Sequence, residues 1–322
     1  MDIDKFGDPF FSKQASSSSL KHDTQQAGLR VGRGAATGHH GEIFQGVHEA
    51  PDGCLHRGLV SLPCSMFISK ATFYPDSSGI INVEPAWKVK ASKAVKLALA
   101  FANKPTCGGL LRMRSNIPVG WGLGSSTSDV TAAIRATADA LGQTIELKDI
   151  ALLAVKAETA SDSTMFNGCT VLFAQREGYV LEDFKGPLPR LEVVGFNVDP
   201  TNKGIETLSF SPAHYTWWEI ETFKPMIGLL RRAIYTQDPK LVGQVATASA
   251  YINQTHLPKP CFEDLTRAVE IVKAVGLQVA HSGTVVGLLF DPSDADKERK
   301  INHAQDLIAE MGFGQTWRFR TG

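Results

Sequence analysis

Pro118-Val119-Gly120-Trp121-Gly122-Leu123-Gly124-Ser125-Ser126-Thr127-Ser128-Asp129 places three glycines in five positions ahead of a serine pair. A helical run follows at once through Val130, Ala133, Ile134, Ala136, Thr137, Ala140 and Leu141, and Gly142 is placed to stop it. The pattern predicts a glycine loop at the N-terminus of a helix. Unpaired backbone N–H groups and the positive end of the helix dipole make such a place an anion site. Glycine adopts positive φ at little cost and lets the backbone approach a polyphosphate with no Cβ in the way, a freedom expected above all of Gly124. Hydroxyls at the loop exit reach phosphate oxygens or a magnesium ion. A second reading needs no ligand, because Ser126-Thr127-Ser128-Asp129 also fits a capping box. The loop has no Walker A lysine and does not follow the Rossmann G-x-G-x-x-G spacing.

The 322 residues are enough for two domains sharing a cleft, and a hydrophobic share of 43% supports a sizeable core. Lys plus Arg and Asp plus Glu both number 33, so no electrostatic funnel for nucleic acid or anionic lipid is expected. Five scattered cysteines (Cys54, Cys64, Cys107, Cys169, Cys261) form no C-x-x-C. They suit free thiols in a reducing cytoplasm better than a disulfide framework or a cysteine zinc site. No apolar run approaches the ~20 residues that span a bilayer. The start, Met1-Asp2-Ile3-Asp4-Lys5, is unlike a signal peptide.

Residues 1–29 are polar and read as a loosely ordered tail, in which Phe6, Phe10 and Phe11 could dock on a surface. Strands are expected over 59–74, 79–83, 110–117, 169–174, 179–184 and 191–198, with helices over 90–103 and 147–160. From residue 213 the character changes to long helices, about 213–235, 238–254 and 261–275. Strands over 278–280 and 285–290, a charged helix over 293–311 and a last strand over 316–320 follow. Strands mixed with helices, without regular βαβ alternation, predict an α+β fold with largely antiparallel sheets.

Three further clusters carry candidate chemistry. Gly38-His39-His40-Gly41-Glu42-Ile43-Phe44-Gln45-Gly46 reads as a strand–turn–strand element. Its adjacent histidines point apart on a strand, which argues against a shared metal. Gln278-Val279-Ala280-His281-Ser282-Gly283-Thr284-Val285-Val286-Gly287 reads as strand, tight turn, strand. In Ala157-Glu158-Thr159-Ala160-Ser161-Asp162-Ser163-Thr164-Met165-Phe166-Asn167-Gly168, two acids four apart fall on one face if the helix continues. Such a pair suits a magnesium site with an adjacent base, or one exposed acid and a helix-terminating Asp.

The string Pro-x-x-x-Gly-Leu-Gly-Ser-Ser resembles the phosphate-loop motif of the GHMP small-molecule kinases, with Thr127-Ser128 where that family usually has Ala. Gly41-Glu42 followed by Gln45-Gly46, Ser161-Asp162-Ser163 with Met165-Phe166, and Ala280-His281-Ser282-Gly283-Thr284-Val285 resemble the L-threonine kinase subfamily, which is linked to cobalamin side-chain synthesis. That subfamily more often has Thr-Cys where this chain has His39-His40. The resemblance spans about 34–322 and implies the two-domain GHMP kinase fold, with a ribosomal-protein-S5-like half (30–185) and a ferredoxin-like half (186–322). It implies ATP and Mg²⁺ as cofactors. Nucleotide contacts would come from Pro118, Gly120, Gly122, Leu123, Gly124, Ser125, Ser126 and Thr127, and from Ser282 and Gly283 across the cleft. Metal ligands would be Ser126 and Glu158, and the base Asp162. The substrate would meet His39, Gly41, Glu42, Gln45 and His281, with Glu42 on its cationic end. The expected activity is phosphorylation of a small amino acid, L-threonine first, with homoserine, serine or a related hydroxyl compound as the alternative acceptor. A nucleotide-binding regulator without turnover is a rival that the two acids and both serines oppose. A deaminase or other metal hydrolase using His39, His40 and cysteines is a further rival, opposed by the missing H-x-E…P-C-x-x-C. The partners expected are the amino acid and ATP, with a homodimer allowed, and neither nucleic acid nor membrane.

Overall fold

The structure, a computed structural model, describes residues 29–166, 168–199 and 213–322. Residues 1–28 of the expected tail, with its three phenylalanines, and Asn167 lie outside the described residues. Ten strands form one sheet. In chain order they are β1 (Gly32–Glu49), β2 (Leu55–Asp76), β3 (Ile81–Glu84), β4 (Gly108–Ser115), β5 (Val171–Ala174), β6 (Tyr179–Asp183), β7 (Glu192–Asn197), β8 (Gly276–Val279), β9 (Val285–Phe290) and β10 (Trp317–Arg320). Their order is β10-β7-β9-β8-β1-β2-β4-β3, with β5 on β2 and β6 on β5. Every pairing is antiparallel except β3 with β4. The expected halves meet where Glu42 of β1 pairs Val279 of β8.

The glycines of the first cluster do not make the expected turn. β1 is one 18-residue strand, with register shifts at Thr37/Gly38, His39/Glu42 and Glu42/Phe44. Gly41, at φ +68°, absorbs the irregularity as a bulge, because pairing with the long β2 continues on both sides. The bulge turns side chains of a buried strand toward one spot, which a regular alternation would divide between two faces.

Helices α1 (Val89–Phe101), α2 (Ser125–Ala140) and α3 (Leu147–Glu158) cover the first half. α2 lies directly on β1. A Cβ on Gly32 would sit 2.0 Å from Ala136 O, and one on Gly34 2.2 Å from Ala132 O. Small residues at 132, 136 and 140 on the helix make the same approach possible. β1 runs back along α2, from Gly32 beside Ala140 to His39 beside Gly124, so the strand delivers its cluster to the helix N-terminus. In the second half α4 (Trp217–Thr236) starts with a capping box between Thr216 and Glu219. α5 (Pro239–Asn253) starts with Asp238 as cap and Pro239 in the first turn. α6 (Phe262–Val272) and α7 (Lys297–Glu310) pack over β7, β8 and β9 around Leu277, Leu288 and Ile301. One core cluster joins the halves, with Ile43, Phe44 and Leu62 of the first against Leu191, Phe223 and Leu230 of the second.

Candidate active site

The loop before α2 has the strained backbone that its glycines permit, with φ of +83°, +80° and +72° at Gly120, Gly122 and Gly124. Gly124 is itself the helix cap, in the left-handed region with no side-chain capping bond. The capping box at Ser126 is therefore not formed. Asp129 instead accepts from Ser69 Oγ at 2.6 Å and pairs with buried Lys88. The loop is tied to both other clusters. Trp121 O accepts the N–H groups of Thr284 (3.0 Å) and Val285 (3.2 Å), and Leu123 O accepts that of His39 (3.2 Å). Gly122 and Gly283 are in backbone contact, since a Cβ on Gly283 would lie 2.3 Å from Gly122 N. Pro118, Gly120, Gly122, Ser125, Ser126 and Ser282 are part-exposed around this seam, while Leu123 and Thr127 are buried beneath it. The room at Gly124 is used differently from the sequence expectation. Its absent Cβ would lie 2.3 Å from the His39 ring, so a side chain of this protein fills the space.

His39 is 2% exposed, and Nε2 lies 3.0 Å from Asp162 Oδ2. Its Nδ1 lies 2.9 Å from Gly41 O. Both partners only accept, so both ring nitrogens carry protons and the ring is an imidazolium. Burial opposes that charge, but the charge and hydrogen bond of Asp162, and then the charge of Glu42, push the pKa up to about 9. Burial would raise the Asp162 pKa, yet the imidazolium and Thr127 hold it below the usual carboxylate range.

Glu158 and Asp162 do meet, though not on one helix face. α3 ends at Glu158, Thr159 turns the chain at φ +76°, and Asp162 stands in the following loop. Thr127 of α2 joins them. Its Oγ1 accepts Asp162 N–H at 3.2 Å and lies 2.8 Å from Glu158 Oε1 and 3.2 Å from Asp162 Oδ2. Burial is the largest influence on Glu158 and pushes its pKa up to about 7, with Asp162 adding to the rise. Ser126 lies close enough to hold that pKa down, yet its Oγ is buried without a hydrogen-bond partner.

Glu42 is committed on one side. Its Oε2 accepts both the N–H (3.0 Å) and Nδ1–H (2.8 Å) of His281, while Oε1 stands 3.9 Å from His39 Nδ1. Gly41 serves through its carbonyl and its bulge. Gln45 is drawn away from this cluster toward α5, where its N–H meets Ser249 Oγ (2.9 Å) and its carbonyl accepts from Asn253 (3.0 Å). Residues scattered over 243 positions, from His39 to His281, thus form one buried polar cluster at a helix N-terminus.

Residues 89–174 match the family described as GHMP kinases N terminal domain. The chain is similar to the GHMP kinases, and its residues 89–174 carry that N-terminal domain. It is 32% identical over 205 residues to the L-threonine kinase of Salmonella typhimurium, a match covering 64% of this chain. The match spans 66% of that relative, just under two thirds of its length. In fold it is similar to homoserine kinase from Cytophaga hutchinsonii, at 15% identity and TM-score 0.66, with 93% and 96% of the two chains covered. It is also similar to MDDEF in complex with MVAPP, AMPPCP and magnesium, at 14% identity and TM-score 0.62, covering 90% and 97%. The α+β, two-domain GHMP architecture expected from the motifs is the one these neighbours share.

Two residues near this cluster escaped the sequence reading. Lys90, exposed on the first turn of α1, acts on Glu158 through its charge. Lys259 is buried and touches the His281–Gly283 turn. Neither belongs to a recognisable spacing. The flanking Pro258 and Pro260 mark only a rigid loop.

Proposed function

We propose that this protein works as a GHMP kinase and transfers the terminal phosphoryl group of ATP to the hydroxyl of a small amino acid, L-threonine first. The observation that carries the proposal is the convergence of the glycine loop, the Glu158–Thr127–Asp162 group and the His39 imidazolium. Phosphoryl transfer asks for positioning, charge neutralisation and a place for one proton. The unpaired N–H groups opening α2 and the helix dipole would hold the phosphates. Ser126 and Glu158 would hold Mg²⁺. The fit is chemical, because an orphaned buried hydroxyl stands beside a carboxylate that burial has made reluctant to stay charged without a cation. The bound ion would neutralise charge on the phosphate oxygens.

Asp162 orients the acceptor hydroxyl and receives its proton as the new P–O bond forms and the bond to ADP breaks. His39 keeps Asp162 ionised in readiness and directs its second oxygen. Oε1 of Glu42 is the anion available to an α-ammonium group. Such an enzyme would work on amino acid and ATP in the cytoplasm, and its product, O-phospho-L-threonine, would serve cobalamin side-chain synthesis. The test is ADP release by the purified protein with L-threonine, L-serine and L-homoserine in parallel. The expected result is turnover highest with L-threonine. Turnover highest with another acceptor would move the substrate, and no release above background with any of them would overturn the proposal.

A further inference from the structure

Lys259 is 6% exposed and makes no ion pair among the described residues. Its Nζ donates to two carbonyls of one turn, His281 O at 3.1 Å and Gly283 O at 2.7 Å. Its own N–H is anchored on Gln254 Oε1 at 2.7 Å, between two prolines. The other buried lysine among the described residues, Lys88, is paired with Asp129 in the ordinary way. An ammonium taken out of water and given only carbonyls is costly, so the arrangement calls for a compensating use. Burial lowers its pKa to about 8, with the charge of Glu42 opposing.

The use follows from peptide geometry. In a planar trans peptide the C=O and N–H point in opposite directions. The Gly283–Thr284 peptide shows this directly, with its carbonyl on Lys259 and its N–H on Trp121 O of the phosphate loop. The His281–Ser282 peptide has the same orientation toward Lys259, so the Ser282 N–H points away from it. That N–H has no hydrogen-bond acceptor among the described residues. Ser282 is part-exposed, and its neighbour Gly283 rests on the backbone of Trp121 and Gly122. Lys259 thus turns two carbonyls away from the seam and adds a positive charge behind the donor that remains.

We propose that Lys259 is a positioning residue that holds the His281–Thr284 turn so that the Ser282 N–H is presented to the phosphates of a bound nucleoside triphosphate. The inference rests on the reading that the glycine loop binds such phosphates. Without the ammonium, the His281 carbonyl loses its donor, and the His281–Ser282 peptide is free to turn that carbonyl toward the anion.

The test is calorimetric binding of AMPPCP with magnesium to the full chain. Lys259→Met is expected to fold and to bind the analogue at least about tenfold more weakly, the loss of charge-assisted bonds to a fixed donor set. Lys259→Gln, which keeps a donor for the carbonyls and lacks the charge, is expected to fall between the two. A purely structural brace would lower the melting temperature and leave the affinity within twofold, and that result in Lys259→Met overturns the inference. If Lys259→Met does not fold, wild-type affinity in Lys259→Gln overturns it instead. Failure of the wild-type chain to bind AMPPCP would strike the nucleotide reading itself, a different failure.

Discussion

His39 and His40 are neighbours on one strand, both almost fully buried, and their electrostatic surroundings are opposite. His39 faces Asp162 and Glu42 and is held protonated, with its pKa pushed up to about 9. His40 packs against Trp317 and Phe319, with Nδ1 on Gln278 Oε1 at 2.8 Å. Burial there pushes its pKa down to about 4, against a smaller opposing effect of Gln278. Desolvation disfavours the charged ring at both positions. What separates them is two carboxylates in one case, Glu42 from the same strand and Asp162 from a loop more than 120 residues further on, and an amide in the other. Burial by itself therefore says little about a histidine's charge, and the partner set decides it.

The strongest way to break the contrast is Asp162→Asn. The variant keeps the shape, removes the proton acceptor and takes away the main reason His39 is charged. We expect kcat to fall by about 10²–10⁴-fold with AMPPCP binding retained. A change confined to KM would make Asp162 a binding residue only. Next in size is the replacement of His39. His39→Gln should cost at least about tenfold in kcat, because the Asp162 carboxylate loses its charge-assisted partner. Wild-type turnover in that variant would leave His39 with a packing role.

pH sharpens the same contrast without mutation. His39 titrates from an ordinary 6.5 to about 9 in the folded chain, so the folded state holds the proton more tightly. The stability contributed by the His39–Asp162 pair is therefore complete below pH 6.5 and is lost as pH rises through about 9. Melting temperatures across that window should decline in the wild type more steeply than in Asp162→Asn. Imidazole NMR should show one buried ring still protonated near pH 8 and another still neutral near pH 5, both approximate bounds. Coincident titration of the two rings would end the comparison.

Smaller effects are expected at the helix start. Ser126→Ala should raise the magnesium requirement of turnover, since it removes a hydroxyl from a hard-cation site. Its melting temperature should stay close to wild type, because Gly124 and not Ser126 caps α2. A stability loss of about 0.5–2 kcal/mol with unchanged magnesium dependence would instead restore the capping role. Smallest is His40→Phe, at a ring packed on Trp317 and Phe319. It should leave kcat within about twofold while Gln278 loses its partner and stability falls by about 1–3 kcal/mol.

Local rules made much of this chain legible. The glycine loop ahead of α2 is a short-range signal, and that helix begins where it says; the helices expected over about 213–235 and 238–254 run Trp217–Thr236 and Pro239–Asn253. The order of the four motifs carried the fold, because glycine spacing and capping chemistry depend on a few consecutive residues. Several decisions were made over distance. The bulge at Gly41 replaced a turn because β2 supplied pairing on both sides. Glu158 and Asp162 were joined by Thr127 of another helix, which their spacing of four could not reveal. The site of Lys259, and the opposite environments of His39 and His40, come from carbonyls, carboxylates and an amide up to 238 positions away in the chain. Backbone conformation is a property of neighbours in sequence. The energy of a buried charge is a property of neighbours in space, and only the folded chain assembles those.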